Sequence, residues 1–128
     1  MQIHQSAEDY LETILMLNQR MGRVRSIDVV NELGYTKASV SIAMKKLREN
    51  GYIAVDGEGN LTLLEPGREI AERIYSRHRL LTHFFVQLGV DEEVAAEDAC
   101  KAEHILSEQT LEKIREYALL HDAQDSIK

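Results

Sequence analysis

Three features of the sequence predict a mainly α-helical protein, with a winged helix-turn-helix at its amino end and an all-helical second half. Two short amphipathic segments flank a tight Gly34-Tyr35-Thr36 connection, a Gly-rich hairpin follows at once, and the chain beyond Pro66 repeats apolar residues at helical spacing.

Helix 1 is predicted to start at Ser6 as N-cap, with Asp9 at N3 as a variant of the capping box. Ala7, Leu11, Ile14 and Leu15 form its apolar stripe, through about Gln19. Asp9 and Glu12, three apart, share a different face. Taken alone, Asp9 reads as a first-turn acid favoured by the helix dipole, and Glu12 as a solvated residue. Met21-Gly22 ends this helix.

Ser26 then caps a short helix over Ile27–Leu33, closed by Gly34, and a second helix runs from Lys37 to Asn50, closed by Gly51. Val40, Ala43, Met44 and Leu47 make the buried stripe of the second helix. Its outer face carries Ala38, Ile42, Lys45 and Glu49, flanked by Ser39, Ser41 and Lys46. Small residues, hydroxyls and cations are what a helix entering a major groove needs, and an exposed Ile42 can meet a thymine methyl. A soluble amphipathic helix is the plainer reading of that face. The hairpin spans Tyr52–Val55 and Leu61–Leu64 around Asp56-Gly57-Glu58-Gly59-Asn60. Helix-turn-helix plus hairpin is a winged helix. Asp56 and Glu58 make its wing tip acidic, which opposes a phosphate contact there.

Charge supports an oriented polyanion surface. The net charge is −7, yet residues 20–50 hold seven basic groups against three acidic ones, a local +4, and the remainder carries −11. A hydrophobic fraction of 44% over 128 residues permits one sizeable core, or a core with a small satellite, and excludes a low-hydrophobicity disordered chain. A single cysteine cannot form an internal disulfide, so a reducing cytoplasm is the expected compartment. Neither a membrane-spanning stretch nor signal-peptide character is expected.

Pro66 at N1 opens a long helix to Leu88, with Ile70, Ile74, His78, Leu81, Phe85 and Leu88 on one stripe. Alone, His78 reads as a satisfied core histidine, and His83 lies off the stripe without an obvious partner. Gly89 ends this helix, and Asp91-Glu92-Glu93 begins the next. That helix carries Cys100, Glu103 and His104, which in helical geometry share an arc of about 100°. A thiolate, a carboxylate and an imidazole converging there could hold a divalent transition metal. Ser107 caps the last helix, with Leu111, Ile114 and Ala118 facing inward and a frayed tail from His121. His4 and His121 read as bystanders.

Assembled, these residues resemble the DtxR/MntR family of metal-dependent bacterial transcriptional repressors. The resemblance runs from Ser6-Ala7-Glu8-Asp9-Tyr10-Leu11-Glu12-Thr13-Ile14 through the winged helix. It continues through Arg77-His78-Arg79-Leu80-Leu81 to Ala99-Cys100-Lys101-Ala102-Glu103-His104-Ile105-Leu106-Ser107. It implies a winged-helix DNA-binding domain over 1–65 and an all-helical metal-binding and dimerisation domain over 66–128. It further implies a cytoplasmic homodimer that takes up Mn2+ or Fe2+, with Zn2+ and Co2+ as substitutes in vitro, and then binds palindromic double-stranded operator DNA. An enzyme, a membrane partner and a small-molecule substrate are not expected.

By position, the resemblance implies Asp9, Glu12, His78, Cys100, Glu103 and His104 as metal residues. Asp9 with Glu12 is similar to the manganese-sensing branch, whereas Cys100 is similar to the iron-sensing branch and stands where manganese sensors place a glutamate. Thr82 and Ala96 stand where the iron branch has an ancillary carboxylate and histidine. The chain stops before the SH3-like domain of longer members, as expected of a short form. For DNA, the resemblance implies Thr36, Lys37, Ala38, Ser39, Ser41 and Ile42 at the start of the recognition helix, with Arg25 on a phosphate. Lys45 and Lys46 join them from the helical-face argument. The competing reading is a metal-independent winged-helix regulator whose acidic and histidine residues are structural.

Overall fold

The structure, a computed structural model, describes residues 5–127; His4 lies outside the described residues. The chain forms two compact units, Met1–Arg73 and Ile74–Lys128. The first holds α1 (Gln5–Met21), α2 (Ser26–Leu33), α3 (Lys37–Glu49), β1 (Ile53–Val55), β2 (Leu61–Leu63) and the start of α4 (Glu65–Gln87). The second holds the rest of α4, α5 (Glu92–Ala102) and α6 (Glu108–Ile127).

The winged helix-turn-helix forms as its periodicity requires. Leu11, Ile14, Val29, Val40 and Leu47 are all essentially buried, so the stripes of α1, α2 and α3 meet in one core. Gly34 closes α2 in the left-handed region at φ 72°, and its N–H donates to the Val30 carbonyl at 2.8 Å. A side chain there would be strained, and without the turn α3 would not leave at the angle a helix-turn-helix needs. β1 and β2 pair antiparallel, Ile53 with Leu63 and Val55 with Leu61. The Leu61 N–H also donates to the Val24 carbonyl at 2.7 Å, which ties the wing to the α1–α2 connection.

Local ends differ from the sequence expectation by small steps. Ser6 lies inside α1 rather than capping it, because α1 already runs from Gln5. Arg25, not Ser26, caps α2: its N–H is taken by the Asp28 carboxylate at 2.9 Å, so the N3 acid does the capping. Pro66 is the second residue of α4, and Leu88 lies past its end and is 60% exposed, off the buried stripe. Ser107 caps α6 as expected, accepting from the Thr110 N–H at 3.2 Å, and Thr36, read from the sequence only as part of the connection, caps α3, accepting from the Ser39 N–H at 3.1 Å. In place of a frayed tail from His121, α6 continues to Ile127. The His121 ring stacks on Tyr117 one turn earlier, 6.3 Å between centroids, an i,i+4 contact that favours carrying the helix on.

The compact units divide after Arg73, inside α4. The opening turns of α4 are fastened to the winged helix. The Leu64 N–H donates to the Tyr52 carbonyl at 3.0 Å, Gly67 sits against that same carbonyl, and Arg73 pairs with Glu8 at 3.4 Å. In the second unit Leu81, Ala99 and Leu111 form a buried cluster, with Leu80, Phe85 and Ile114 packed around it.

The wing turn is held by one carboxylate. Asp56 Oδ1 accepts from the backbone N–H groups of Glu58 and Asn60, each at 2.9 Å, and Oδ2 accepts from the Asn60 amide at 3.0 Å. The Asn60 amide first, then these backbone donors, holds the Asp56 carboxyl below its usual 3.8. A depressed folded value means the stabilisation is present above the unfolded pKa and is lost as pH falls through the folded one. The Glu58 and Asn60 amides are therefore expected to lose hydrogen-exchange protection as acid protonates Asp56. Protection unchanged down to global acid unfolding would contradict this role.

Candidate metal centre and nucleic-acid interface

In the second unit, α4 carries His78, and the turn after α5 carries Glu103 and His104. The sequence expectation of one continuous helix through His104 is corrected here. α5 ends at Ala102, with Glu103 as its C-cap, still right-handed at φ −60° and ψ −22°. Residues 103–105 form a turn in which the Ile105 N–H takes a tightened i→i−3 bond to the Ala102 carbonyl, so His104 lies beyond α5.

The turn swings Glu103 inward until it is fully buried. Its Oε2 lies 2.9 Å from Nδ1 of His78, and its Oε1 lies 3.4 Å from Nε2 of His104, whose side chain is 2% exposed. Burying a carboxylate is costly unless its oxygens are satisfied. Oε1 has no hydrogen-bond donor among the described residues. One carboxylate between two imidazoles, with a buried acceptor left over, is a donor set that a divalent first-row metal fits. His78 is satisfied as a half-buried histidine by this carboxylate, and the same contact sets its ring beside a candidate metal donor.

Nearby groups order the cluster. The Thr82 hydroxyl donates to the His78 carbonyl at 2.8 Å. Arg77 donates from Nη1 to the Glu103 carbonyl at 3.3 Å, and from Nη2 to the Glu108 carboxylate. Sequence reasoning missed both Arg77 and Glu108, because no periodicity couples residues this far apart. Cys100 stands exposed in the last turn of α5. Away from the cluster, His83 does have a partner: its Nε2 lies 3.0 Å from both oxygens of Asp122.

In the first unit, Asp9 is half-buried on α1, and Glu12 is 6% exposed. The solvated reading of Glu12 is therefore corrected, since α1 is covered on more than its apolar stripe. Tyr10, between them, is buried, and its ring meets Tyr35 edge-on at 5.9 Å and 77°. Burial first, with Tyr35 and Asp9 adding, pushes the Tyr10 hydroxyl above its usual pKa of 10.0, so it stays neutral.

Every residue expected to face DNA is exposed: Arg25, Thr36, Lys37, Ala38, Ser39, Ser41, Ile42, Lys45 and Lys46. Ile42 is 58% exposed, an apolar side chain kept in water on an otherwise polar face. Two other basic groups are drawn to acids instead, Arg20 to Glu32 at 2.8 Å and Arg23 to Glu58 at 3.7 Å. The second pair partly neutralises the acidic wing tip, though an exposed pair of this kind contributes at most about 1 kcal/mol.

A winged helix followed by a helical unit with a carboxylate–imidazole cluster defines a class: DNA-binding regulators that carry a metal-binding and dimerisation domain. Comparison with known proteins makes the assignment specific. Residues 2–61 match the iron dependent repressor N-terminal DNA binding domain, and residues 64–120 match the iron dependent repressor metal binding and dimerisation domain. The chain belongs to the DtxR/MntR family of metal-dependent transcriptional repressors, which are regulators and not enzymes.

Among its relatives, an HTH-type transcriptional regulator of Methanocaldococcus jannaschii is 36% identical over 87% of this chain and 90% of its own length. The MntR regulator of Bacillus subtilis is 32% identical over 96% of this chain and 87% of its own. A solved manganese-dependent transcriptional repressor in complex with manganese superposes with a TM-score of 0.80, at 28% identity, over 88% of this chain and 52% of that one. IdeR of T. acidophilum shares the fold, with a TM-score of 0.79 at 23% identity, over 91% of this chain and 55% of its own. The chain spans about half the length of these solved structures. No helix among the described residues is long and apolar enough to cross a membrane.

Proposed function

We propose that this chain is a cytoplasmic, homodimeric repressor that takes up Mn2+ or Fe2+ and, so loaded, binds a palindromic operator in genes of metal homeostasis. The observation that carries the reading is Glu103, fully buried with an imidazole on each oxygen. The proposed ligand set is Asp9, Glu12, His78, Cys100, Glu103 and His104. Its carboxylates and imidazoles suit Mn2+ and Fe2+, while a Cys100 thiolate moves the preference toward Fe2+, with Zn2+ and Co2+ as substitutes in vitro.

A bound divalent cation supplies concentrated positive charge, which favours one arrangement of these anionic and imidazole donors over others. Asp9 and Glu12 ride on α1, and α1 packs on the recognition helix α3 within the same unit. Asp9 and Glu12, if they held such a cation, would steady α1 and, through its packing, the presentation of α3. In a dimer, the two recognition helices must meet successive major grooves about 34–36 Å apart. A coupling of roughly 1–3 kcal/mol corresponds to about 5–150-fold tighter DNA binding in the loaded state. Lys37, Lys45, Lys46 and Arg25 supply phosphate or base-edge contacts, and Ser39, Ser41, Thr36, Ala38 and Ile42 shape the groove-facing surface. The metal-independent regulator gives way, because the family to which both halves belong is metal-dependent.

Selection from a random pool of duplexes with Mn2+ present is expected to enrich an inverted repeat, its half-sites about 10 base pairs apart. Enrichment of a single half-site, or of nothing, would sink the palindromic reading.

A further inference from the structure

We infer that Arg77 is a positioning residue for the metal centre, gripping the turn that carries Glu103 and His104. The inference rests on the metal-dependent reading above and adds a residue outside the ligand set.

Arg77 precedes His78 on α4, and its side chain is only 15% exposed. A guanidinium so enclosed needs partners on its arms, and it has two. Nη1 donates to the backbone carbonyl of Glu103 at 3.3 Å, and Nη2 donates to the carboxylate of Glu108 in the first turn of α6. The Glu103 carbonyl is one of the orphan acceptors at the end of α5, a place where a cation is doubly favoured, as donor and against the helix dipole. The Leu106 N–H, three residues on, goes to the Ala102 carbonyl instead.

Glu103 is thereby held at both ends by consecutive residues of one helix. Arg77 takes its carbonyl, and His78 faces its carboxylate at 2.9 Å. Fixing the backbone of a buried ligand fixes where its carboxylate points, and it also anchors His104, the next residue. Outer groups that orient ligands in this way typically change metal affinity by about 10–100-fold when removed. A planar fork can serve the carbonyl and Glu108 together, whereas a lysine ammonium is a single point on a flexible stem.

Three measurements on the full chain test this: Mn2+ affinity by electron paramagnetic resonance, the visible absorption spectrum of the Co2+ form, and thermal melting without metal. Arg77→Met is expected to weaken Mn2+ binding about 10–100-fold and to alter the Co2+ spectrum, with Arg77→Lys intermediate. Should Arg77→Met fail to fold, Arg77→Lys decides alone, with weakened Mn2+ binding expected. A lower melting temperature combined with Mn2+ affinity within twofold of the wild type and an unchanged Co2+ spectrum would overturn the inference and leave Arg77 a purely structural clamp. A wild-type chain that binds no Mn2+ overturns the metal-dependent reading itself, a different failure from wild-type binding that Arg77 variants match.

Discussion

Glu103→Gln is expected to abolish metal activation while leaving the metal-free fold in place. Glu103 is fully buried, with one oxygen 2.9 Å from His78 and the other 3.4 Å from His104. Glutamine keeps the shape and one carbonyl-type acceptor but removes the negative charge that two imidazoles and a divalent cation share. Neutralising a buried carboxylate also removes its desolvation cost, so the variant is not expected to unfold. Metal-induced tightening of DNA binding, about 5–150-fold for a typical coupling, should fall to no tightening. Calorimetric titration with Mn2+ and melting of the metal-free protein separate the two effects. Normal Mn2+ stoichiometry and affinity in Glu103→Gln would remove this residue from the ligand set.

Gly67→Ala is expected to destabilise the winged-helix unit by about 3 kcal/mol, the upper end of the usual cost of overpacking. Gly67 is buried in the first turn of α4, and a methyl group there would run into the Tyr52 carbonyl oxygen and lie 3.3 Å from the Leu11 Cδ2 atom. The obstacle is backbone, not a flexible side chain, and that carbonyl already takes the Leu64 N–H at 3.0 Å. Relief therefore requires α4 to lift from the strand start. Alanine's higher helix propensity returns only about 1 kcal/mol. Against a typical total of 5–15 kcal/mol, the net loss is large and readable by urea denaturation. A stability equal to or above the wild type would show that the α4 start is free to shift.

What the sequence made legible was local. Gly34, Gly51 and Gly89 punctuate helices whose stripes, such as Val40, Met44 and Leu47, were readable from spacing alone, and the Gly-rich turn announced the hairpin. Helix ends were less legible. No glycine or proline marks the stop at Ala102, so a helix through His104 was the natural expectation, yet the chain turns there and buries Glu103. Periodicity also finds the apolar face of a helix but not what covers its other faces. For that reason Glu12 read as solvated and is buried.

Partners remote in sequence lay beyond residue-by-residue reading. His78 with Glu103, His83 with Asp122 and Arg77 with Glu108 are separated by 25, 39 and 31 residues. Only the family resemblance pointed to the first pair, and nothing pointed to the others. The exposure of the residues expected to face DNA was foreseeable for the opposite reason: most of them lie on the outer face of α3, and an outer face needs no knowledge of distant packing.

The most direct test of metal-gated DNA binding is the fluorescence anisotropy of a labelled operator duplex titrated with wild-type protein, under anaerobic conditions, with Mn2+ or Fe2+ and then with chelator. Tightening of about 5–150-fold with metal, reversed by chelator and absent in Glu103→Gln, is the expected result. Equal affinity for the duplex with and without metal would contradict it.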